Sequence, residues 1–264
     1  MRFSLLAATA LGTTLVGMVP GVAQEVTYDW SGFYIGASLG MANQPSDVRV
    51  DYPDSIPTSG FSFNGGDLYF GSDLLDSDLP TLFELDPTHA GLGVQAGYNF
   101  VTGNLVYGVQ ADIHLLSKAD TVYAESPSGS SVVSVQSGLD SLATLRGRVG
   151  VSADKMLLFA TAGLAAGQAS LATDFSYSDF GKSASLSGSS TETLIGFAAG
   201  AGAEFALSEQ ISLKGEALYY DLGSSSVAAQ GSGSSGQGSE TAEPYAVTAD
   251  HRGVIVSTGL NFRF

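Results

Sequence analysis

The stretch HRGVIVSTGLNFRF, residues 251–264, decides how the rest of the chain is read. Taken by twos, Val254, Val256, Thr258, Leu260, Phe262 and Phe264 share one face, and Gly253, Ile255, Ser257, Gly259, Asn261 and Arg263 share the other. An extended chain sends successive side chains to opposite sides, so this is a strand with one mostly apolar face and one small or polar face. Exposed aromatics gain nothing from water, yet Phe262 and Phe264 stand together on the apolar face with no polar tail behind them. A strand facing lipid places such rings in an interfacial girdle. The stretch therefore reads as the closing strand of an outer-membrane β-barrel.

At the other end, Arg2 precedes an apolar run over residues 3–19, followed by Pro20 and the small residues Gly21, Val22 and Ala23. That is the pattern of a secretory leader cut after Ala23, which assigns residues 1–23 to a signal peptide and 24–264 to the barrel. After such a cut no apolar run reaches the ~20 residues that a spanning helix needs. A membrane location then has to come from strands, and in lipid only a closed barrel satisfies every backbone group of a strand. Cysteine is absent, which removes disulfide frameworks and thiol chemistry. Ten Lys and Arg against 26 Asp and Glu, a formal charge of −16, argue against nucleic acid as a partner, because phosphate binding needs clustered bases.

Between these ends the period-two pattern recurs. Phe33, Ile35, Ala37, Leu39 and Met41 alternate with Tyr34, Gly36, Ser38 and Gly40; Ala90, Leu92, Val94, Ala96, Tyr98 and Phe100 alternate with Gly91, Gly93, Gln95, Gly97 and Asn99. A tight turn at Thr102-Gly103 leads to Leu105, Tyr107, Val109, Ala111, Ile113 and Leu115 facing out, with Gln110, Asp112 and His114 facing in. Next, Ala143, Leu145, Val149 and Val151 face out and Asp140, Thr144, Arg146 and Arg148 face in. A strand from Met156 has two apolar faces; a two-residue turn at Ala153-Asp154 would put Leu158, Ala160, Ala162 and Leu164 outward. Two more follow, Ile195 to Phe205 against Glu204, and Ile211 to Tyr219 against Lys214 and Glu216. Residues 44–87 form a long acidic loop holding a hairpin signal, Asn64-Gly65-Gly66, within 61–70. Residues 119–136, 171–190 and 224–249 are Ser-rich and read as loops. Short turns alternating with long loops give an all-β, eight-stranded antiparallel up-and-down transmembrane barrel, with periplasmic turns and extracellular loops. The alternative is a soluble up-and-down barrel, which would turn its apolar face inward and its charges out.

The segments YDWSGFYIGASLG (28–40), GVQAGYNF (93–100), LVYGVQADI (105–113), TLRGRVGVSADKMLLFATAGLA (144–165), GAGAEFALSEQISLKGEALYYDLG (200–223) and TGLNFRF (258–264) carry a family likeness. Together they resemble the small outer-membrane β-barrel proteins of Gram-negative bacteria, the opacity-like or OmpA-type "porin family". The resemblance covers nearly the whole chain after the leader and skips the long loops. It implies an eight-stranded barrel, surface-exposed loops, and terminal aromatics, here Phe262 and Phe264, read by the barrel-assembly machinery. It leaves activity open, because these barrels serve structural, adhesive and transport roles.

Asp112, Arg146, Arg148, Glu204, Lys214 and Glu216 are expected in the lumen near mid-height. Unpaired ions are costly in a narrow interior, so these six are read as a salt-bridge network filling the barrel, with a selectivity constriction as the alternative. His89, His114 and His251 all come out inward at the extracellular rim, with His89 and His114 as diagonal neighbours. They are either a rim site for a transition metal or haem, or simply hydrogen-bonded side chains; the latter is adopted, so no cofactor is assigned. Asp73, Asp76 and Asp78 crowd the first loop, where solvation and repulsion are the expected purpose and bridging cations to lipopolysaccharide the other. The inward histidines match no serine on the lipid-facing wall, and no glycine pattern leads a strand into a helix, so no enzyme is expected. The expected role is envelope integrity and surface interaction, alongside outer-membrane lipid and lipopolysaccharide and a host or envelope protein met by the loops. The other readings are a small-solute porin and a loop-based receptor or adhesin. Edman sequencing of protein isolated from outer membranes should start at Gln24; a chain that retains residues 2–19 would overturn the leader.

Overall fold

The first and last strands of the chain pair with each other, and that pairing closes the molecule. In the computed structural model, which describes residues 28–51, 61–63, 66–68, 81–85, 88–117, 120–126, 129, 131–179, 182–235 and 238–264, the described chain is built from strands. They are β1 (Gly32–Asn43), β2 (Ser46–Asp51), β3 (Phe61–Phe63), β4 (Gly66–Leu68), β5 (Leu82–Leu85), β6 (Thr88–Thr102), β7 (Leu105–Leu116), β8 (Asp120–Glu125), β9 (Ser131–Ala153), β10 (Met156–Asp179), β11 (Lys182–Ala206), β12 (Ile211–Ser235) and β13 (Gly238–Arg263). The ring runs β1-β6-β7-β9-β10-β11-β12-β13, antiparallel throughout, and returns to β1 from Tyr34 opposite Arg263 to Asn43 opposite Val254. Eight strands in a closed ring leave no open edge in the lipid.

Side-chain polarity is turned inside out relative to a soluble barrel. Leu39, Leu164 and Ile195 are 62, 65 and 75% exposed, whereas Arg146 and Arg148 are 1 and 3% exposed. Phe33, Tyr98, Phe100, Tyr107, Phe205, Phe262 and Phe264 ring the end that carries the short turns, where Phe100 stacks on Tyr107 with centroids 5.5 Å apart. Such an aromatic girdle marks a membrane interface.

The strands outrun the membrane. β9 to β13 have 23 to 26 residues each, roughly 80 Å at ~3.3 Å per residue, while a tilted strand crosses the hydrocarbon in ~9–11 residues. Segments 131–136, 171–179, 182–190, 224–235 and 238–249, expected as parts of Ser-rich loops, are strand. Residues 120–125, 46–51 and 82–85, expected as loop, form β8, β2 and β5. β9 pairs β7 through residues 141–151 and then β8 through 132–137; β13 pairs β1 through 254–263 and then β2 through 246–249. Three strands that stop at the membrane surface, β1, β6 and β7, are thereby replaced by β2, β5 and β8 in a second, upper deck that shares five strands with the first. Of hairpin and plain loop, the two readings open for residues 61–70, β3 and β4 pair antiparallel with Phe61 opposite Leu68. Residues 1–23 and Asp73, Asp76 and Asp78 lie outside the described residues.

In the upper deck the solvent outside is water, so the apolar face must turn inward. Val48, Val50, Phe83, Val133, Val135, Leu171, Phe175, Tyr177, Leu186, Val227, Tyr245 and Val247 form its buried core. Two bulges reset the alternation between decks. In β9, Gln168 of β10 faces Ser141 and Ala169 faces Leu139, so Asp140 is skipped. In β12, the register jumps from Asp221 opposite Arg252 to Ser224 opposite Asp250, with Gly223 at φ +79°. One extra residue exchanges inner and outer faces. Asp140, expected inward, is for that reason exposed. The β6–β7 turn is Gly103-Asn104, one residue later than expected, because Thr102 pairs Leu105 and Gly103 takes φ +63°. The β9–β10 turn is Asp154-Lys155, one residue later than the expected Ala153-Asp154, because Ala153 pairs Met156 and Asp154 takes φ +50°; Leu158 and Leu164 face outward all the same.

The upper deck has a core of its own and so should loosen independently. Leu171→Ala should cost that deck ~2–5 kcal/mol. Hydrogen exchange should then speed up in residues 131–137 and 245–249 and stay slow in 143–151. Uniform acceleration over both segments would contradict separate cores.

Candidate functional site

Inward positions of the lower deck bring the polar side chains together in layers, beginning at the turn end. Ahead of β1, Tyr28, Asp29 and Trp30 fold into the mouth of the ring. Trp30 is 1% exposed, donates from Nε1 to the Asp154 carbonyl at 3.4 Å, and packs with Val106, Leu157, Phe159 and Ala206. The Arg263 guanidinium lies over both rings, 4.6 Å from Tyr28 and 5.0 Å from Trp30, and donates to the Asp29 carbonyl. A hydrogen bond from the Ser31 amide holds the Asp29 carboxyl below its ordinary range. Cation–π contacts of this kind strengthen where water is excluded.

The six predicted charges form the next layer. Arg148 of β9 reaches over β10 to Glu204 of β11 at 2.5 Å, with its guanidinium 3.9 Å from the Phe159 ring, and also donates to the Tyr34 hydroxyl. Glu204 accepts further bonds from Ser212 at 2.5 Å and Asn261 at 2.7 Å. Above it, Lys214 bonds Glu216 at 2.8 Å and Gln95 at 2.7 Å. Gln95 in turn donates to Asn261. Arg146 spans from β9 to β12, meeting Glu216 at 2.5 Å and Asp112 at 2.7 Å, while also donating to Thr161 and Thr144. The six are three acids and three bases, all buried and each with an opposite partner. Formal neutrality and nearly complete hydrogen bonding are what a charged interior requires.

Over the charges lies an apolar layer of Leu139, Leu142, Ala165, Ala169, Leu218, Tyr220, Leu222 and Ile255, and above that the core of the upper deck. A path along the axis therefore meets an aromatic seal, a salt-bridge layer and two apolar layers.

The histidines are inward and buried but do not converge. His114 faces Gly93, four residues from His89 on the same strand, which separates the pair by roughly 13 Å along β6 at ~3.3 Å per residue. The expectation of diagonal neighbours rested on a turn placed one residue early; the turn at Gly103-Asn104 shifts their offset by two. His114 Nε2 lies 3.1 Å from Asp112 Oδ1 and so joins the charge layer. His251 Nε2 is 2.8 Å from the Ser225 hydroxyl at the deck junction, and His89 Nε2 is buried without a hydrogen-bond partner among the described residues. Among the described residues, no three or more His, Asp or Glu side chains are grouped to hold a metal ion. Phe264 packs its ring against Phe33, 5.7 Å away, and Phe262, 5.1 Å away, on the lipid side.

The strands supply other partners that the sequence reading did not single out. Tyr34, Gln110, Thr161, Ser212 and Asn261 complete the network, and each is a polar residue at an inward position of its strand. Trp30 carried no such signal, because it precedes the first alternating run.

A closed eight-stranded ring, apolar outside, charged within and girdled by aromatics, defines an integral outer-membrane β-barrel. The chain belongs to the family described as the outer membrane protein beta-barrel domain, whose pattern matches residues 9–262. It is 31% identical over 210 residues to the 31 kDa outer-membrane immunogenic protein of Brucella melitensis biotype 1, covering 77% of this chain and 76% of that one. The protein of the same name from Brucella suis biovar 1 matches equally. Among solved structures, Neisserial surface protein A has 14% identity and a TM-score of 0.36, over 89% of this chain and 98% of its own. The attachment invasion locus protein of Yersinia pestis has 14% identity and a TM-score of 0.33, over 88% and 99%. The chain is located in the cell outer membrane.

Arg146 ties strands on opposite sides of the lumen. Arg146→Ala leaves Asp112 and Glu216 facing each other without it and should cost ~3–5 kcal/mol, the range for breaking a buried pair. Urea titration of the barrel in detergent, read by heat-modifiable mobility, checks this; an unchanged midpoint would show that the network holds nothing.

Proposed function

We propose that the protein is a closed, non-conducting barrel that stiffens the outer membrane and holds a rigid β deck above it as a surface for recognition. The single observation that carries this reading is the filled lumen: Trp30, the Arg146–Asp112–Glu216 cluster and Leu142 with Leu218 block the axis at three levels. Eight strands leave room for little more than their own side chains. The constriction alternative needs a water path beside the charges, and the layers on both sides of them are apolar. Strands that continue past the lipid as a packed deck add an exterior that loops alone would not hold in place.

No catalytic role belongs to this reading. Ser225 and His251 are hydrogen-bonded, and both are buried at the deck junction. Phe262 and Phe264 are assigned to assembly, as exposed lipid-side aromatics of the strand that closes the ring. Residues 1–23 are assigned to export. Lipid and lipopolysaccharide surround the lower deck; host or envelope proteins would be met by the upper one.

Planar bilayers containing the refolded chain from Gln24 to Phe264 should stay silent. Trp30→Ala together with Arg146→Ala should admit brief openings by removing two of the blocks. Discrete steady channels from the unmodified chain would defeat the closed-barrel reading in favour of a porin.

A further inference from the structure

The junction between the two decks is where the sheet is least regular. The bulges of β9 and β12 lie there, and the ladder between β11 and β12 is interrupted from Ser187 opposite Gln230 to Phe197 opposite Asp221. His251 stands at this height on β13, above the point where the β1–β13 ladder ends with Asn43 opposite Val254. Its side chain points inward and is buried, with Nε2 2.8 Å from the Ser225 hydroxyl of β12.

The imidazole borders a small enclosed chamber that Gln44, Ser46, Ser137 and Tyr220 also line, drawn from the β1–β2 link, β2, β9 and β12. Segments of both decks therefore meet at this one point. The Ser46 hydroxyl donates to the Asp250 carbonyl at 2.8 Å, which fastens β2 to β13. Gln44 is buried, and its Nε2 has no hydrogen-bond partner among the described residues. The chamber is thus polar but not fully satisfied, an arrangement that holds only while its groups stay neutral.

Charged side chains surround the chamber without facing into it among the described residues. Asp250 and Arg252, the sequence neighbours of His251, border it as well, but strand alternation sends their side chains to the outer face of β13. Arg252 is paired there with Asp47 of β2 at 2.8 Å. Glu192 of β11 and Asp140 of β9 are exposed, and Asp221 of β12 accepts a bond from the Gly223 amide. Tyr220 is the other titratable side chain that lines the chamber and faces it. Burial accordingly outweighs the carboxylates of Asp250 and Glu192 and holds the imidazole below its ordinary value. A proton on His251 would place a cation where no acid meets it, which is costly.

We propose that the deck junction is an acid-sensitive joint: a proton taken up by His251 charges the enclosed chamber, water enters it, and the upper deck loosens from the barrel below while the salt-bridge layer stays intact. The opened joint accepts that proton at the ordinary imidazole value of 6.5, and the closed joint accepts it only at lower pH. The closed form is therefore fully favoured above the ordinary value and loses its advantage as pH falls from there through the depressed one. The inference goes beyond the closed-barrel reading, since the joint lies above the charges and the aromatic seal that fill the lumen.

The test uses the refolded chain in nanodiscs. Hydrogen exchange is read at about pH 7.5 and about pH 5, corrected for the intrinsic pH dependence of amide exchange, and acid should raise the opening of residues 137–139, 222–225 and 246–251 about tenfold. Residues 143–151 of the barrel should not respond. His251→Gln keeps a donor and an acceptor but cannot become charged, and should abolish the acid response; His89→Gln and His114→Gln should retain it. An equal response in His251→Gln, or none in the unmodified chain, would overturn the joint. Acid opening that extends through 143–151 would overturn it in favour of unfolding of the whole barrel. Where His251→Gln does not fold, the imidazole resonance of His251, assigned by elimination against the other two variants, carries the test. It should titrate below the ordinary value and in step with exchange in 222–225; titration at or above 6.5 would overturn the proposal. Conductance in bilayers bears on the closed barrel alone, so the two readings fail independently.

Discussion

Everything in this protein depends on backbone hydrogen bonding in a medium without water. An unpaired amide in hydrocarbon has no other partner, so the sheet must close on itself, and the β1–β13 ladder is where it does so. Closure at eight strands makes the interior narrow. Narrowness in turn demands that inward side chains be small, as the inner-face glycines of β6 are, or be matched to one another across the lumen. The buried arginines follow from that demand. They are the long inward side chains whose donors can be met by carboxylates from other strands of the ring, as Arg146 is by Glu216 of β12 and Arg148 by Glu204 of β11.

Such a network is not in itself a source of large net stability, since desolvating six charges costs about as much as pairing them returns. Its consequence is specificity. Each cation has acceptors from more than one strand, so a slipped register would strand an ion in a dry interior. The same layer separates two apolar blocks, one built around Trp30 and one around Leu142, Leu218 and Tyr220. A stack of polar and apolar plugs is hard to wet from either side, which is why a filled lumen and a non-conducting role belong together.

The two decks obey one rule in two solvents. Below the bulges, lipid outside and ions inside put Leu145 out and Arg146 in; above them, water outside and a dry core inside put Ser134 out and Val133 and Val135 in. A single strand cannot exchange its faces without gaining or losing a residue, and the bulges at Asp140 and near Gly223 supply that change in β9 and β12. β13 passes from one deck to the other without a shift: its inward positions carry Asn261, Ile255, Val247 and Tyr245 in turn, and the residue types change where the solvent does.

Strand alternation by itself determined the membrane barrel, its lipid-facing residues and the inward direction of Asp112, Arg146, Arg148, Glu204, Lys214 and Glu216, because period-two patterning needs no knowledge of neighbours. The same pattern was present above the membrane, in Val133 and Val135 or Tyr245, Val247 and Ala249, but small or polar residues at the intervening positions, Ser134, Ala246 and Thr248, gave it the composition of a loop. Local sequence could not separate the two, since a strand in water needs only one apolar face. Tertiary structure alone decided which strands continue, that β2, β5 and β8 replace β1, β6 and β7, and that Trp30 enters the mouth. It also separated His89 from His114, because a one-residue change of turn moves cross-strand partners by two positions. Direction is a property of each strand alone, whereas partnership is a property of register, and register is settled only when all the strands close together.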